Sequence, residues 1–441
     1  MVVASLLVSL VVLLAGAAAS VSAAEKALWG PTALPDGSSP FALYQQLGID
    51  TLQLSMSWAD VALARPAAPE DPADPAYRWP AEIDVAVTEA GRRGIRLSLL
   101  VARTPRWANG NRSPVWRPTR AQDFADFLTA AARRYPSVRR WMIWGEPNRH
   151  DRFQPNARNS PIGPRAYAVL LDAAYAGLKR ASRHNIVIGA NTWTGGTVKP
   201  ANFLRLMRLP SGRPPRLDWL GHNPFAFRFP KLSEKPLAGG YRDISDVDTI
   251  SLEVRRIYHR TVPLWLSEYT IQSNRASALF ATYATRAGQA RHLTAGYRIA
   301  DDLGPAVAGL GWLALLDEAP APQSANFGLM TYGLARKPAF AAMLRAPAER
   351  LRPAVTAAAV VPRARLRGPS GLAVTVTPRA AGPVVVQLRR GGAVRAQTRL
   401  SGRAGRRSTA HLRGATVTPG RYVVHVRAAR AATVRRAVRV R

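Results

Sequence analysis

Short apolar segments alternate with longer segments of helical periodicity between residues 27 and 346. Eight of the short segments are predicted to be strands, namely Ala27–Pro31, Thr51–Ser57, Ile95–Ala102, Val138–Gly145, Ile186–Asn191, Leu217–His222, Val262–Glu268 and Val307–Ala314. Most are apolar on both faces, which is typical of parallel strands covered by helices. Eight strand–helix repeats predict an α/β fold, a (β/α)₈ barrel.

The segments between the strands carry helix signals. Thr119 and Gln122 have the spacing of a capping box, and a helical apolar stripe follows them at Phe124, Phe127, Leu128 and Ala131. The barrel would span roughly 320 residues, more than the ~250 typical of this fold. We therefore expect insertions in the loops after the strands, at 65–78, 149–164 and 229–246.

The composition changes after Pro353. The remaining residues include 19 Arg, no Lys and no acidic residue. Short alternating segments predict strands at Leu372–Thr377, Val384–Leu388, Val394–Leu400, Thr416–Thr418, Tyr422–Val426 and Val434–Val440. We expect a barrel domain over 25–350 and an Arg-rich antiparallel β-sandwich of immunoglobulin-like size over 351–441.

The first 24 residues contain no charged side chain and end in the small residues Val21–Ala24. This pattern predicts a secretory signal peptide. The apolar segment is also long enough to cross a bilayer, so an uncleaved anchor is the alternative. In both cases we expect the rest of the chain to be extracellular, either secreted or held at the cell envelope.

The chain is strongly basic, with 62 Lys plus Arg against 27 Asp plus Glu and a formal net charge of +35. A general preference for Arg would explain this balance; the alternative is attraction to an anionic cell-wall polymer. We considered two roles for the basic C-terminal module: binding that polymer, or packing on the barrel as an accessory module. Export argues against a nucleic-acid partner, and we expect a monomer.

Several kinds of chemistry are excluded or disfavoured by the residues themselves. The chain has no cysteine, and its seven histidines are scattered without a metal-binding spacing. Phosphate-binding loops and the G-x-S-x-G motif of serine hydrolases are missing. We therefore expect neither a metal nor an organic cofactor.

Two glutamates stand at the ends of predicted strands, where the active sites of such barrels lie. Glu146 follows the fourth strand and Glu268 ends the seventh. A carboxylate at the end of an apolar strand costs desolvation energy. Two facing carboxylates are what glycoside hydrolysis requires, because one must donate a proton while the other attacks the sugar.

The sequence around these glutamates resembles the clan-A retaining glycoside hydrolases, closest to the branch that holds family 39 and the cellulase-like enzymes. The resemblance rests on the segments Trp144–Asn148, Trp265–Tyr269, Thr104–Ala108, Phe327–Leu329 and Lys337–Phe340. It implies that Glu146 is the acid/base and Glu268 the nucleophile of a glycosidase acting on a poly- or oligosaccharide.

Other candidate residues follow from the resemblance or from strand ends. The resemblance implies that His222 and Trp312 line the sugar site. Further candidates for substrate binding are Trp58, Trp107, Trp193 and Tyr269, with Asn148 and Asn191 as amides that could bind a hydroxyl. For the histidine and the aromatic residues the alternative is a purely structural role in the upper barrel or its rim.

The sequence departs from the family at two positions. Gly145 replaces the Asn that precedes the acid/base Glu in the family, and Gln53 replaces its strand-two Arg. The resemblance implies that this Asn binds the sugar 2-hydroxyl. Its loss leaves two alternatives to hydrolysis: a weakened barrel that only binds glycan, or a transglycosylase.

Overall fold

The computed structural model describes residues 24–347, apart from residue 233, and seven strands between residues 355 and 440. The described residues divide into two compact units, one up to residue 347 and one from residue 355 onward. The predicted signal peptide, except Ala24, lies outside the described residues. Of the helices described, none is both long enough and apolar enough to cross a bilayer.

The first unit is built on a closed barrel of eight parallel strands. In chain order these are β1 (Glu25–Trp29), β2 (Thr51–Ser57), β3 (Arg96–Ala102), β4 (Arg140–Ile143), β5 (Ile186–Trp193), β6 (Trp219–Asn223), β7 (Leu264–Tyr269) and β8 (Val307–Leu313). Each strand pairs with its neighbours in sequence, and β8 closes the barrel on β1, where Leu313 lies opposite Trp29. The (β/α)₈ prediction is confirmed.

Large side chains fill the barrel interior because the residues opposite them are small. Trp265 of β7 packs with Met142 and Ile188 and stacks on Trp219, with ring centroids 5.6 Å apart. A Cβ atom on Gly309 of β8 would lie 2.3 Å from the Trp265 indole, so only glycine fits there. The barrel is thus a packed core, and open space for a ligand lies at its ends.

Helices connect the strands and cover the barrel. In the described part of this unit they are α1 (Phe41–Gln46), α2 (Trp58–Val61), α3 (Ala81–Arg92), α4 (Ala121–Arg134), α5 (Ile162–Ala181), α6 (Pro200–Leu206), α7 (Val247–Tyr258), α8 (Arg286–Asp302) and α9 (Pro338–Arg345).

The sequence predicted the buried face of helix α4 correctly, but not its N-terminal cap. Helix α4 buries Phe124 and Phe127 against the barrel, as its periodicity predicted. Its N-cap residue, Arg120, makes no side-chain capping bond. The Thr119 hydroxyl instead donates to the carbonyl of Ala108 over 3.0 Å. The capping-box prediction was therefore wrong, because a tertiary contact uses the threonine.

The described strands of the second unit form two antiparallel sheets. They are β9 (Val355–Val360), β10 (Leu372–Pro378), β11 (Gly382–Arg390), β12 (Ala393–Gly402), β13 (Ser408–Leu412), β14 (Gly420–Ala428) and β15 (Val434–Val440). One sheet has the order β9-β10-β13 and the other β12-β11-β14-β15. Alternate residues such as Val374, Val386 and Val424 are buried, as in a sandwich. The predicted strand Thr416–Thr418 lies outside the described residues.

Candidate active site

The chain turns sharply after β4 and brings Glu146 to the mouth of the barrel. Trp144 and Glu146 both adopt left-handed backbone conformations, with φ of 65° and 52°. The Trp144 indole N–H donates to the carbonyl of Arg152 over 2.9 Å, and the Glu146 amide donates to the carbonyl of Asn191 over 3.1 Å. Such conformations cost roughly 1–3 kcal/mol each in non-glycine residues and cluster at functional sites.

Glu146 is buried and held by two donors. One Arg149 guanidinium N–H donates to its Oε2 over 2.8 Å, and the Asn223 side-chain amide donates to its Oε1 over 3.2 Å. Arg149 also pairs with Asp151 over 2.6 Å, so the guanidinium is shared between two carboxylates. Burial raises the pKa of Glu146, while the charge of Arg149 and the bond from Asn223 oppose that rise.

Glu268 lies at the end of β7, partly buried, and within electrostatic reach of Glu146. Burial, and then repulsion from the Glu146 carboxylate, raise the pKa of Glu268 to about 8. The Asn223 amide lowers that pKa. The two carboxyl groups therefore interact, so that ionisation of one hinders ionisation of the other.

Asn223 binds Glu146 and was not among the residues predicted from the sequence. Its Oδ1 accepts a hydrogen bond of 2.5 Å from the Ser267 hydroxyl. The acceptor end of the amide is thus occupied, and its donor end faces Glu146. The available signal was its position at the end of β6, one residue after His222.

His222 was predicted to line the site, but the structure places it in the barrel wall. Its side chain is fully buried. Its Nδ1 lies 2.8 Å from the Thr192 hydroxyl, and its Nε2 lies 3.0 Å from the carbonyl of Arg242. Burial lowers the pKa of His222 to about 4, so the ring is neutral. The prediction was wrong because both ring nitrogens are already used in structural hydrogen bonds.

The two asparagines proposed as sugar-binding amides are also structural. Asn148 is fully buried, and its Nδ2 donates to the carbonyl of Gly195 over 2.9 Å, while its Oδ1 accepts from the Trp193 amide over 2.9 Å. Asn191 is fully buried as well, and its Nδ2 donates to the carbonyl of Trp144 over 3.0 Å. Both amides hold the turn after β4, so neither replaces the family's Asn at Gly145.

Three of the aromatic residues that were predicted to contact the substrate lie in the core instead. Trp58, Tyr269 and Trp312 are all fully buried. Trp58 packs on Phe127 with centroids 5.7 Å apart. Tyr269 and Trp312 pack edge to face at 5.5 Å. These predictions were wrong because the side chains pack in the apolar layer between the barrel and its helices.

Trp107 is partly buried and fixes two loops. Its indole N–H donates to the carbonyl of Ala62 over 2.8 Å, and the Arg65 guanidinium lies 4.5 Å from its ring centroid. One indole face is therefore covered by a cation. Trp107 is better explained as a loop anchor than as a sugar platform.

Trp193 lies in an open cavity that reaches Arg149, the ion-pair partner of Glu146. The Arg149 guanidinium lies 5.1 Å from its ring centroid. Arg149, Trp193, Phe227 and Tyr241 line a cavity of about 730 Å³, which is in the size range of small-molecule sites. Trp193 thus remains a candidate for ligand contact, and Arg149 connects its cavity to Glu146. In the described part of the chain, no group of three or more His, Asp or Glu side chains is arranged to hold a metal ion.

Comparison with known proteins supports the fold independently. Three solved structures similar to this chain are a family 39 glycoside hydrolase from Bacteroides cellulosilyticus, a family 39 enzyme from Xanthomonas axonopodis pv. citri and a family 39 β-xylosidase from Caulobacter crescentus. The first is 15% identical, with a TM-score of 0.56, over 87% of this chain and 80% of that chain.

The other two are equally distant in sequence. The Xanthomonas structure is 14% identical, with a TM-score of 0.53, over 89% of this chain and 91% of that one. The Caulobacter structure is 16% identical, with a TM-score of 0.52, over 83% and 82%. No protein-family model matches the sequence, and neither does any curated protein. The chain has the fold of family 39 glycoside hydrolases, as the motifs predicted.

Proposed function

We propose that the barrel is a retaining glycoside hydrolase that cleaves O-glycosidic bonds of a poly- or oligosaccharide. The observation that carries this proposal is the pairing of Glu146 and Glu268 at the ends of β4 and β7, where burial raises the pKa of both carboxyl groups and the Glu146 carboxylate raises that of Glu268 further. Two interacting carboxyl groups do not ionise together, which supplies the two states that the reaction requires, one protonated and one ionised. The shared fold is compatible with this chemistry.

The proposed reaction is a double displacement. The ionised carboxylate of Glu268 attacks the anomeric carbon, and the bond from that carbon to the leaving oxygen breaks as Glu146 donates a proton to this oxygen. Glu146 then takes a proton from a water molecule. The water oxygen attacks the anomeric carbon, breaks its bond to Glu268 and returns that carboxylate.

These roles require Glu146 to hold the proton of the pair. The positive charge of Arg149 favours the ionised form of Glu146, so with Arg149 bound the proton of the pair favours Glu268. Arg149 has a second carboxylate, Asp151, at 2.6 Å. We infer that Arg149 releases Glu146 when substrate binds and keeps Asp151 as its own partner. The proton of the pair then moves to Glu146.

We place the continuing sugar chain in the open cavity that reaches Arg149, the ion-pair partner of Glu146. Trp193, Phe227 and Tyr241 offer aromatic surface, and such faces stack on sugar rings. We also propose that the protein is exported to the cell surface and that its basic C-terminal module binds an anionic wall polymer. The apolar N-terminal segment supports the first proposal, and the Arg-rich composition after Pro353 supports the second.

A second candidate function is glycan binding without efficient turnover. The presence of Gly145 favours this second function, because the family has an Asn at this position. Asn148 and Asn191 do not replace that Asn, since both hold the turn after β4. A transglycosylase remains the third alternative, since it would use the same two glutamates and is separable by product analysis with an acceptor sugar.

Mechanism-based covalent inhibitors separate hydrolysis from binding. A panel of cyclophellitol-type epoxides and aziridines of different sugar configuration would be incubated with the full chain, followed by proteolysis and mass spectrometry. Labelling of the peptide that contains Glu268, and its loss in Glu268→Gln, supports a working nucleophile. Reversible binding of glycans without labelling by any member of the panel supports the binding protein and contradicts the hydrolase.

A further inference from the structure

Five arginines line a second cavity, far from the glutamates in the barrel. This cavity has a volume of about 710 Å³ and is lined by the residues before β6, the end of α7 and one face of α5. Its arginines are Arg208, Arg213, Arg216, Arg256 and Arg260. The residues before β6 and β7 mark the N-terminal ends of the strands, whereas Glu146 and Glu268 stand at the C-terminal ends. The two sites are therefore at opposite ends of the barrel.

The overall abundance of arginine does not explain this cluster. The chain contains 62 Lys plus Arg, of which six are Lys, so 56 of its 441 residues, about one in eight, are Arg. Five of the thirteen residues that line the cavity are Arg. This enrichment is roughly threefold, and none of the described residues that line the cavity is acidic.

Only part of this positive charge is neutralised. Arg216 pairs with Asp172 over 2.7 Å. Arg208 and Arg260 donate to backbone carbonyls, at 3.1 Å to Leu204 and 2.8 Å to Leu217. A guanidinium has five N–H donors, so these bonds leave several donors of each side chain unused.

The other two arginines, Arg213 and Arg256, are exposed. Among the described residues, neither side chain has a hydrogen-bond or ion-pair partner. Their charges repel the neighbouring guanidinium groups, and one carboxylate, that of Asp172, does not balance five cations. The cavity therefore carries a net positive charge, which attracts anions.

We propose that this cavity binds a multivalent oxyanion, a molecule that carries two or more phosphate or carboxylate groups. Guanidinium groups bind phosphate and carboxylate through paired N–H···O bonds. Several guanidinium groups around one cavity favour a ligand with several anionic groups over a single ion. This site is separate from the proposed hydrolase activity and does not depend on it.

The test is calorimetric titration of the full chain with pyrophosphate and with citrate at constant ionic strength. The variant Arg213→Ala/Arg256→Ala removes two exposed cations from the cavity. The control Arg165→Ala/Arg255→Ala removes the same charge from exposed positions that do not line it. Thermal unfolding of both variants checks that they fold as the parent does.

We expect saturable binding of at least one probe, weakened about tenfold in the cavity variant, which corresponds to about 1.4 kcal/mol, and changed less than about twofold in the control. Tighter binding of pyrophosphate or of citrate identifies phosphate or carboxylate as the preferred group. Equal weakening in both variants would mean that only overall charge matters, and absence of saturable binding to either probe would mean that the cavity is not a site. Both results overturn the proposal.

Discussion

Ser267 donates its hydroxyl hydrogen to the side-chain oxygen of Asn223 over 2.5 Å, from one barrel strand to the next. An amide side chain has an acceptor end and a donor end, and this bond decides which end faces the glutamates. Because the oxygen is engaged, the amide N–H donates to Glu146. Ser267, which is fully buried, thus controls the environment of the proposed catalytic pair.

Ser267→Ala is expected to raise the pKa of both glutamates. The Asn223 amide lowers both pKa values, and an amide that has lost its anchor donates less well. The basic limb of the pH profile of kcat/KM should therefore move to higher pH, with little change in KM. Ser267→Thr retains the hydroxyl and is expected to keep the parent profile. An unchanged profile in Ser267→Ala would show that the serine does not act through Asn223.

Glu268→Ala is expected to abolish hydrolysis of activated aryl glycosides, because no group remains to form the covalent intermediate. Added azide should restore turnover by attacking the anomeric carbon directly, and the glycosyl azide should have inverted stereochemistry by NMR. Retained activity without azide would remove Glu268 from the mechanism.

Glu146→Ala should affect substrates according to their leaving groups. A general acid contributes about 10²–10⁴-fold when the leaving oxygen needs a proton. Turnover of an alkyl glycoside should therefore fall by about that factor, and turnover of a dinitrophenyl glycoside much less. Rates for a series of leaving groups with different pKa values give the comparison. Equal losses across the series would rule out Glu146 as the acid.

Gly145→Asn is expected to increase hydrolysis. A Cβ atom at this position would meet only the Leu100 side chain, at 3.4 Å, which is ordinary contact. An amide there could hydrogen-bond the sugar 2-hydroxyl, a bond that strengthens in the transition state. We expect kcat/KM to rise at least about tenfold. Gly145→Ala adds the same Cβ atom without the amide and should have no such effect; a similar rise in both variants would contradict this explanation.

Arg149→Gln is expected to raise the pKa of Glu146, because the Arg149 charge now lowers it. A carboxyl group with a higher pKa stays protonated to higher pH, so the basic limb of the kcat/KM profile should move upward. Arg165→Gln is the control, since Arg165 is exposed near the start of α5 and makes no ion pair with either glutamate in the described residues. An equal shift for Arg165→Gln and Arg149→Gln would contradict the assignment.

The strands of the barrel and the positions of the two glutamates were predictable from the sequence. Eight apolar segments with helices between them allow few topologies, and the ends of parallel strands meet at one mouth. Glu146 and Glu268 therefore approach each other although they are far apart in the sequence.

The residues around the glutamates were harder to predict. Side chains along a strand point alternately to the barrel interior and to its exterior. A prediction that is wrong by one residue therefore assigns an exterior side chain to the interior. His222 faces Thr192 in the wall, while Asn223 faces the site. Trp312 likewise lies in the outer layer against Tyr269. Register shifts between β7 and β8 contribute to this outcome, and the sequence alone does not reveal them.

The arginine-lined cavity and the glutamates face opposite ends of a barrel whose centre is closed by the Trp265 indole. No small molecule can pass between them through that interior. An anion bound in the arginine-lined cavity therefore leaves the approach of sugar to the glutamates unobstructed. Inhibition of hydrolysis by such an anion, where it occurs, would be noncompetitive.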